Sequence, residues 1–213
     1  MGETTVDVWI PDGYLAMPLA DIDRTLAVVR NLAEDLPPSE AKDMTEALLP
    51  AVATLLGTLA ANDTRYCGVG RHAAPTGGLV TSCVTVCVYE TGKTPINPRL
   101  ALKELVYSRR DLDENWVSEP IDIAGRPMMF SERIAELPAP ELPGIPRADS
   151  AARTYQLEAV VPAEDGSAVA AVELSTAAVE LGPAFRKMVF DMAMSVSFRP
   201  ALPSAARAGY LNL

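Results

Sequence analysis

The side chains best able to take part in catalysis or metal binding lie in one short segment, Tyr66-Cys67-Gly68-Val69-Gly70-Arg71-His72. His72 is the only histidine in the chain, so any role of a histidine as acid, base or ligand falls to it. Cys83 and Cys87 follow on the next predicted strand, which makes a zinc site of three Cys and one His arithmetically possible. Against it, Cys67 and His72 are separated by an odd step that places them on opposite faces of a regular strand, and no C-x-x-C spacing is present. The pattern favours small buried cysteines over a metal site.

The same parity argument disfavours a nucleophile pair of Cys67 and His72, unless a bulge at one of the glycines between them re-aims a side chain. These glycines lack the third glycine and the following helix of a dinucleotide-binding loop. We therefore assign no catalytic residue, no metal ligand and no cofactor, and a non-enzymatic role is favoured. If the protein instead binds or hydrolyses a small molecule, Cys67, Arg71 and His72 are the candidate pocket residues.

Composition limits the classes of partner. The chain has 213 residues with 49% hydrophobic content, which is ample for a buried core. A net charge of −10 and a pI near 4.6 argue against binding to a nucleic acid backbone. The N-terminus lacks the basic region and apolar run of a secretory signal. No uninterrupted apolar stretch is long enough to span a membrane. Three Cys, an odd number, are typical of free thiols in a reducing compartment. We predict a cytoplasmic protein without membrane insertion.

The stretch from Ala168 to Phe198 organises the predicted fold. Residues 168–176 are small or β-branched without Pro or Gly, which is typical of a central strand covered on both faces. Together with Tyr155–Val161 they form a predicted hairpin through the turn at Gly166. A helix follows, with apolar residues at three- and four-residue steps from Phe185 onward. We expect the residues that follow, 195–198, to form a short strand that returns to the sheet.

Two helical stretches near the N-terminus predict an αα-hairpin over residues 21–62. The first begins at Asp21 and ends before Pro37-Pro38, and the second is capped by Ser39. Pro50 interrupts the second, either by kinking one helix or by separating two short ones.

The remaining predicted elements are two further hairpins, a third helix and two irregular segments. A strand over Thr5–Ile10 opens the chain, and a connector follows it from Tyr14 to Leu19. The others are strands 65–72 with 79–89, a helix over 97–107, strands 116–124 with 126–134, a proline-rich loop over 137–150 and a tail over 201–213. The sequence therefore predicts one α+β domain over 1–213, with a largely antiparallel sheet of about six to eight strands flanked by helices.

Turn and core positions at the two ends of the chain resemble the PsbP/Mog1-like superfamily, including its LpqN-like actinobacterial members. The resemblance lies in Trp9-Ile10-Pro11-Asp12-Gly13-Tyr14, in Val172-Glu173-Leu174-Ser175-Thr176 with Phe185 and Met188, and in the closing Ser195-Val196-Ser197-Phe198. It implies an antiparallel sheet flanked by helices, in proteins that mostly bind other proteins and are not enzymes. No functional residue is carried over. The absence of a lipidation Cys near the start and the helical insertion over 21–62 depart from the lipoproteins.

We therefore predict a non-catalytic protein-binding module, an adaptor or chaperone-like accessory factor of a cytoplasmic or secretion-associated assembly. The αα-hairpin, the proline-rich loop and the apolar tail are the expected docking elements. The partner is another protein, with homo-oligomerisation as a further option. The alternative is a small-molecule-binding protein or hydrolase with a pocket near Cys67, Arg71 and His72.

Overall fold

Helices and strands alternate along the chain in a computed structural model that describes residues 4–34, 39–75, 77–91, 96–112, 115–137 and 151–199. The helices are α1 Ile22–Glu34, α2 Glu40–Ala61, α3 Pro98–Leu112 and α4 Arg186–Ser195, with a 3₁₀ helix over Val179–Phe185. The strands are β1 Thr5–Asp7, β2 Tyr14–Ala16, β3 Thr64–Ala73, β4 Leu79–Glu90, β5 Val117–Ile123, β6 Arg126–Leu137, β7 Ala152–Pro162, β8 Ala168–Thr176 and β9 Ser197–Arg199. The predicted α+β class is confirmed.

Seven strands form one antiparallel sheet in the order β2-β3-β4-β8-β7-β6-β5. β8 occupies the middle, where Val172 lies opposite Val86 of β4 and Ala159 of β7. Val172 and its neighbour Ala171 point to opposite faces and are both buried, so β8 is covered on both faces as predicted. The register also places the valines of β4 on one face of the sheet and its Thr and Cys residues on the other.

The two faces of the sheet are covered by different helices. On one, here called the α4 face, α4 and the 3₁₀ helix bury Phe185, Val189 and Met192 against the valines of β4 and β8. On the other, the α3 face, Leu102 and Val106 of α3 pack against a smaller group of sheet residues, Cys87, Met129, Val160 and Ala171. Helices on both faces exclude water from the central strands.

α1 and α2 form the predicted αα-hairpin. The buried apolar side chains of this hairpin are Leu26 and Ala33 of α1 and Leu49 and Leu56 of α2. Ser39 caps α2 as predicted, because its Oγ accepts a hydrogen bond from the Lys42 amide at 3.3 Å. Pro50 does not separate two short helices, because α2 continues through it as one helix of 22 residues.

Two predictions, one for the connector from Tyr14 to Leu19 and one for the strand over residues 195–198, are wrong. Tyr14–Ala16, predicted as part of a connector, is the edge strand β2 and pairs with Gly68–Gly70 of β3. β9 does not return to the seven-stranded sheet but pairs with β1, with Phe198 opposite Val6. Only Val196 separates α4 from β9, and α4 crosses the interior strands β7 and β8, so the chain is too short to reach an edge of the large sheet.

Most of the remaining elements extend a few residues beyond the predicted bounds, whereas α1 and β5 are shorter than predicted and β1 ends at Asp7 rather than at Ile10. α3 reaches Leu112, and Asn97 caps it by accepting a hydrogen bond from the Arg99 amide at 3.0 Å. The predicted proline-rich loop lies outside the described residues apart from Leu137, which ends β6. The predicted tail 201–213 also lies outside them.

We expect the substitution Gly57→Ala to stabilise the protein by about 0.5–1 kcal/mol, because glycine costs that much relative to alanine inside a helix. Gly57 lies within α2, and a Cβ built there meets no atom within 4 Å. Urea denaturation followed by circular dichroism measures the change.

The matched control is Gly182→Ala, because a Cβ at Gly182 would lie 2.2 Å from Cγ of Tyr155. This variant should unfold at a lower urea concentration than the wild type. A Gly57→Ala protein that also unfolds earlier would contradict the open surroundings of Gly57 described above.

Candidate functional site

The three pocket residues predicted from the sequence do not lie together. The side chains of Cys67 and His72 lie on opposite faces of the sheet, as the parity argument predicts. Cys67 is buried on the α3 face, His72 lies on the α4 face, and Arg71 is exposed opposite Thr81. None of the three lines the cavity described below.

His72 is part of a packed polar cluster on the α4 face. Its Nε2 lies 2.7 Å from Oγ of Ser82, which also lies 2.6 Å from the hydroxyl of Tyr14. The rings of Tyr14 and Phe185 meet the imidazole edge-on, with centroids at 5.5 and 4.9 Å. Burial lowers the pKa of His72 below its ordinary value of 6.5 and raises that of Tyr14. These contacts make His72 a neutral packing residue at pH 7.

The cysteines lie on the α3 face. Sγ of Cys67 is 4.0 Å from Sγ of Cys83 on the neighbouring strand. The hydrogen bond between the two thiols raises the pKa of Cys67 and lowers the pKa of Cys83. Burial raises the pKa of Cys87, whose Sγ lies 3.4 Å from Oγ1 of Thr64. Cys83 is therefore the most readily ionised of the three thiols.

A cavity of about 450 Å³ lies between α2 and the α3 face of the sheet. It forms because α2 contacts the sheet mainly at β3, one strand in from the edge. Leu55 and Leu59 of α2 form its apolar wall. Its polar lining comprises Cys83, Thr85, Gln156, Glu158, Glu173 and Ser175 of the central strands, with Trp116 and Arg133 also lining it. An apolar wall facing a few convergent polar groups is typical of small-molecule sites.

Two carboxylates lie side by side on the floor of the cavity. Glu158 of β7 is directly opposite Glu173 of β8, and Thr85 of β4 continues the same row. Glu158 is only 5% exposed, and Oγ1 of Thr85 donates to Oε2 of Glu173 at 3.3 Å. Like charges directly opposite on a sheet are destabilising, and burial raises the cost of each charge. The register of β7 with β8 therefore brings two carboxyl groups together at the centre of the sheet.

Arg133 also lines this cavity. Its Nε donates to Oε1 of Gln156 at 2.6 Å, and its guanidinium lies 4.4 Å from the ring centroid of Trp116. Stacking on the indole and bonding to the amide hold the guanidinium in the row next to the two carboxylates. Within the part of the chain that the structure describes, no group of three or more His, Cys, Asp or Glu side chains is arranged to hold a metal ion.

No family model matches the sequence, and no curated protein matches it significantly. The PsbP/Mog1-like resemblance therefore stays a prediction, and the function must be argued from the geometry.

Glu158 and Glu173 were missed by the reasoning from sequence. A signal was nonetheless present, because each is the only charged residue in a run that is otherwise apolar or small, Leu157–Val161 and Ala168–Thr176. Charged residues are rarely fully buried, so an isolated charge in a predicted central strand marks a position with a special role. That the two face each other depends on the register between β7 and β8, which the sequence does not specify.

We expect Cys83 to be the first thiol alkylated by iodoacetamide in the folded protein, because it is more readily ionised than the other two and is less buried. Peptide mass spectrometry after timed quenching measures the order of labelling. Removing the neighbouring thiol with Cys67→Ala should slow the labelling of Cys83, because the hydrogen bond between them lowers the pKa of Cys83. Earlier labelling of Cys67 in the wild type would contradict this order of ionisation.

We expect the single histidine to titrate below pH 6.5 in the folded protein, because burial disfavours its charged form. An NMR titration of its ring resonances measures this pKa directly. Since the unfolded chain binds the proton more readily, stability should fall as the pH decreases through 6.5. Phe185→Ala, which removes one ring contact, should move the pKa upward, and a wild-type value above 6.5 would contradict the packed arrangement.

Proposed function

We propose that the protein is a non-catalytic binding module that docks a partner protein through the α1–α2 hairpin. In this role it serves as an adaptor or chaperone-like accessory factor of a cytoplasmic or secretion-associated assembly. The observation that carries the proposal is the exposure of α2, in which the most apolar 18-residue window of Lys42–Ala61 has a mean hydropathy of 1.5 and is only 11% buried.

The exposed apolar side chains are shared between both helices of the hairpin. Val28 and Leu32, which lie one turn apart on α1, are 54% and 64% exposed. Met44 on α2 is 48% exposed, and it lies in the half of the hairpin near the α1–α2 connection together with Leu32. Large apolar side chains grouped in this way favour a protein-binding surface.

Charge indicates the chemistry of the partner. Residues 21–62 contain seven acidic and three basic side chains, in a chain of net charge −10. An apolar surface within an acidic hairpin is complementary to an amphipathic helix with basic residues beside its apolar stripe. We therefore assign the surface to a helical segment of a basic partner protein.

The length and apolarity of α2 also bear on location. Lys42–Ala61 is the one described helix long and apolar enough to cross a membrane, by length and composition only, and the expectation of no membrane insertion stays a prediction. Core helices of water-soluble proteins pass the same test. We retain a cytoplasmic location as part of the proposal, and membrane association becomes an outcome of the experiment below.

We expect the substitution Leu32→Asp to abolish co-purification of a stoichiometric partner from the native cell, because it puts a charge into the apolar surface. Tagged wild-type protein and variant are compared by affinity purification and mass spectrometry, followed by reconstitution of the identified partner from purified components. Loss of at least tenfold in affinity is expected for an apolar contact at the centre of an interface.

The matched control is Asn31→Asp, which adds the same charge at a neighbouring exposed and polar position of α1. It should retain the partner. A wild-type protein that elutes alone, a variant Leu32→Asp that binds normally, or recovery of the protein with the membrane fraction would each contradict the proposal.

The alternative of a small-molecule site gains support from a different place than the one predicted. The cavity under α2 is lined by Cys83 rather than by Cys67, Arg71 or His72. This cavity combines a pair of carboxyl groups with an apolar wall.

A further inference from the structure

We propose that Cys67 and Cys83 form an oxidation site, at which hydrogen peroxide converts the two thiols into a disulfide between β3 and β4. The inference depends on the pairing of these two strands and not on the docking surface of the hairpin. It assigns a chemical role to two side chains that the partner-binding proposal does not use.

The two thiols already lie close together. Their side chains share the α3 face, where Cys67 is opposite Thr85 and Cys83 lies two residues from that position on β4. The two Sγ atoms are 4.0 Å apart. A disulfide needs a separation of about 2.05 Å, so the sulfurs must approach each other by about 2 Å. Rotation of the two side chains about their Cα–Cβ bonds supplies part of this movement.

The backbone around Cys67 is suited to the rest of the movement. The register of β3 with β4 shifts between Thr64 and Tyr66, so that β3 has one extra residue, Arg65, shortly before Cys67. Gly68 follows Cys67 directly, and glycine adopts a wider range of backbone angles than other residues. On its other side β3 pairs with β2, a strand of three residues. The cross-link therefore needs a local change in β3 and no rearrangement of the sheet.

Cys83 is the thiol that meets the oxidant. It is half-buried and lines the cavity under α2, whereas Cys67 is only 2% exposed. Leu55 lines the same cavity and is 54% exposed, so the cavity is open to solvent. The hydrogen bond with Cys67 lowers the pKa of Cys83, and the thiolate is the form that attacks a peroxide. An accessible, readily ionised thiol beside a second thiol is typical of redox-sensitive cysteine pairs.

The reaction has two steps, in which atoms and electrons balance. The thiolate of Cys83 attacks one oxygen of hydrogen peroxide, which forms an S–O bond, breaks the O–O bond and releases hydroxide. The sulfur of Cys67 then attacks the sulfur of Cys83, which forms the S–S bond, breaks the S–O bond and releases a second hydroxide. The two hydroxides take up the two thiol protons and leave as water. The thiols lose two electrons, and the peroxide gains them.

The third cysteine, Cys87, takes no part in the bond. It lies four residues from Cys83 on the same strand, a span of about 13 Å at about 3.3 Å per residue, which is too long for a disulfide. Its Sγ lies 3.4 Å from Oγ1 of Thr64, and burial raises its pKa. Cys87 therefore serves as an internal reference thiol.

Alkylation and mass spectrometry of the full chain test the proposal. The reduced protein is treated with a modest molar excess of hydrogen peroxide at pH 7, freed of peroxide, unfolded in N-ethylmaleimide and digested with trypsin without reduction. We expect labelling of Cys67 and Cys83 to be lost together and labelling of Cys87 to remain. Trypsin releases Cys67 in peptide 66–71 and the other two cysteines in peptide 72–93, so the product is these peptides joined by a disulfide.

Fragmentation of the joined peptides distinguishes Cys83 from Cys87 as the linked residue, and dithiothreitol should restore all three labels. Three results would overturn the assignment. They are retention of all three labels, oxidation of Cys83 to the sulfinic acid while Cys67 stays a thiol, and a disulfide between two copies of the chain.

Variants separate the roles of the two thiols. In Cys67→Ala, oxidation of Cys83 should stop at the sulfenic acid, which dimedone traps as an adduct that the wild type does not accumulate. The matched control Cys87→Ala removes a buried thiol from the same face and should still form the disulfide. Loss of the disulfide in a folded Cys87→Ala protein, or no dimedone adduct in Cys67→Ala, would contradict these roles.

The wild-type measurement needs no substitution, so it decides the proposal even if a variant fails to fold. Leu32→Asp should form the same disulfide, because Leu32 lies on the hairpin and not at the pairing of β3 with β4. Failure of partner docking and failure of this proposal are therefore distinguishable.

Discussion

The pairing of β8 with both β4 and β7 is the interaction on which the rest of the structure depends. β8 joins the two halves of the sheet, since β2, β3 and β4 lie on one side of it and β7, β6 and β5 on the other. Its side chains alternate between the α4 core, which takes Val172 and Leu174, and the α3 face, which takes Ala171 and Glu173. A strand in this position has no free edge and no solvent-facing side, so each of its side chains must find a partner in a helix or a cavity.

The two faces meet this requirement differently. The α4 face is one continuous apolar cluster in which the side chains of α4 and the 3₁₀ helix interlock with those of the sheet. The α3 face is divided, because α3 packs directly on Met129 and Val160 while α2 stands above polar residues. Under α2, apolar leucine side chains face polar side chains of the sheet across the cavity. Closing this space would remove water from the polar groups without giving them hydrogen-bond partners on the helix.

The arrangement separates two surfaces along one helix. The half of α2 that includes Leu55 and Leu59 roofs the cavity, and the half that includes Met44 belongs to the part of the hairpin near its connection. Pro50 lies between the two halves without ending the helix. α2 therefore carries the proposed partner surface and the apolar wall of the cavity on different side chains of one helix.

Local pattern was sufficient to predict the elements of this protein. Alternation in β4, the β-branched and small residues of β8 and the spacing of apolar residues in α1 each report on a single element, and the energies involved are local. Parity along β3 was likewise enough to place Cys67 and His72 on opposite faces. The strand over Tyr14–Ala16 was missed, because its three residues form no periodic signal and pair only where an edge is available.

Only the tertiary structure decided the candidate site. Glu158 and Glu173 become neighbours through the register of β7 with β8, and Cys83 approaches Cys67 through the register of β3 with β4. The cavity above them depends on where α2 rests, although the sequence predicts α2 itself. Helical and strand periodicity is set by the geometry of consecutive residues, whereas register and the height of a helix above a sheet are set by packing between residues distant in the chain. The sequence alone therefore determined what each element is, and the folded structure determined which chemical groups meet.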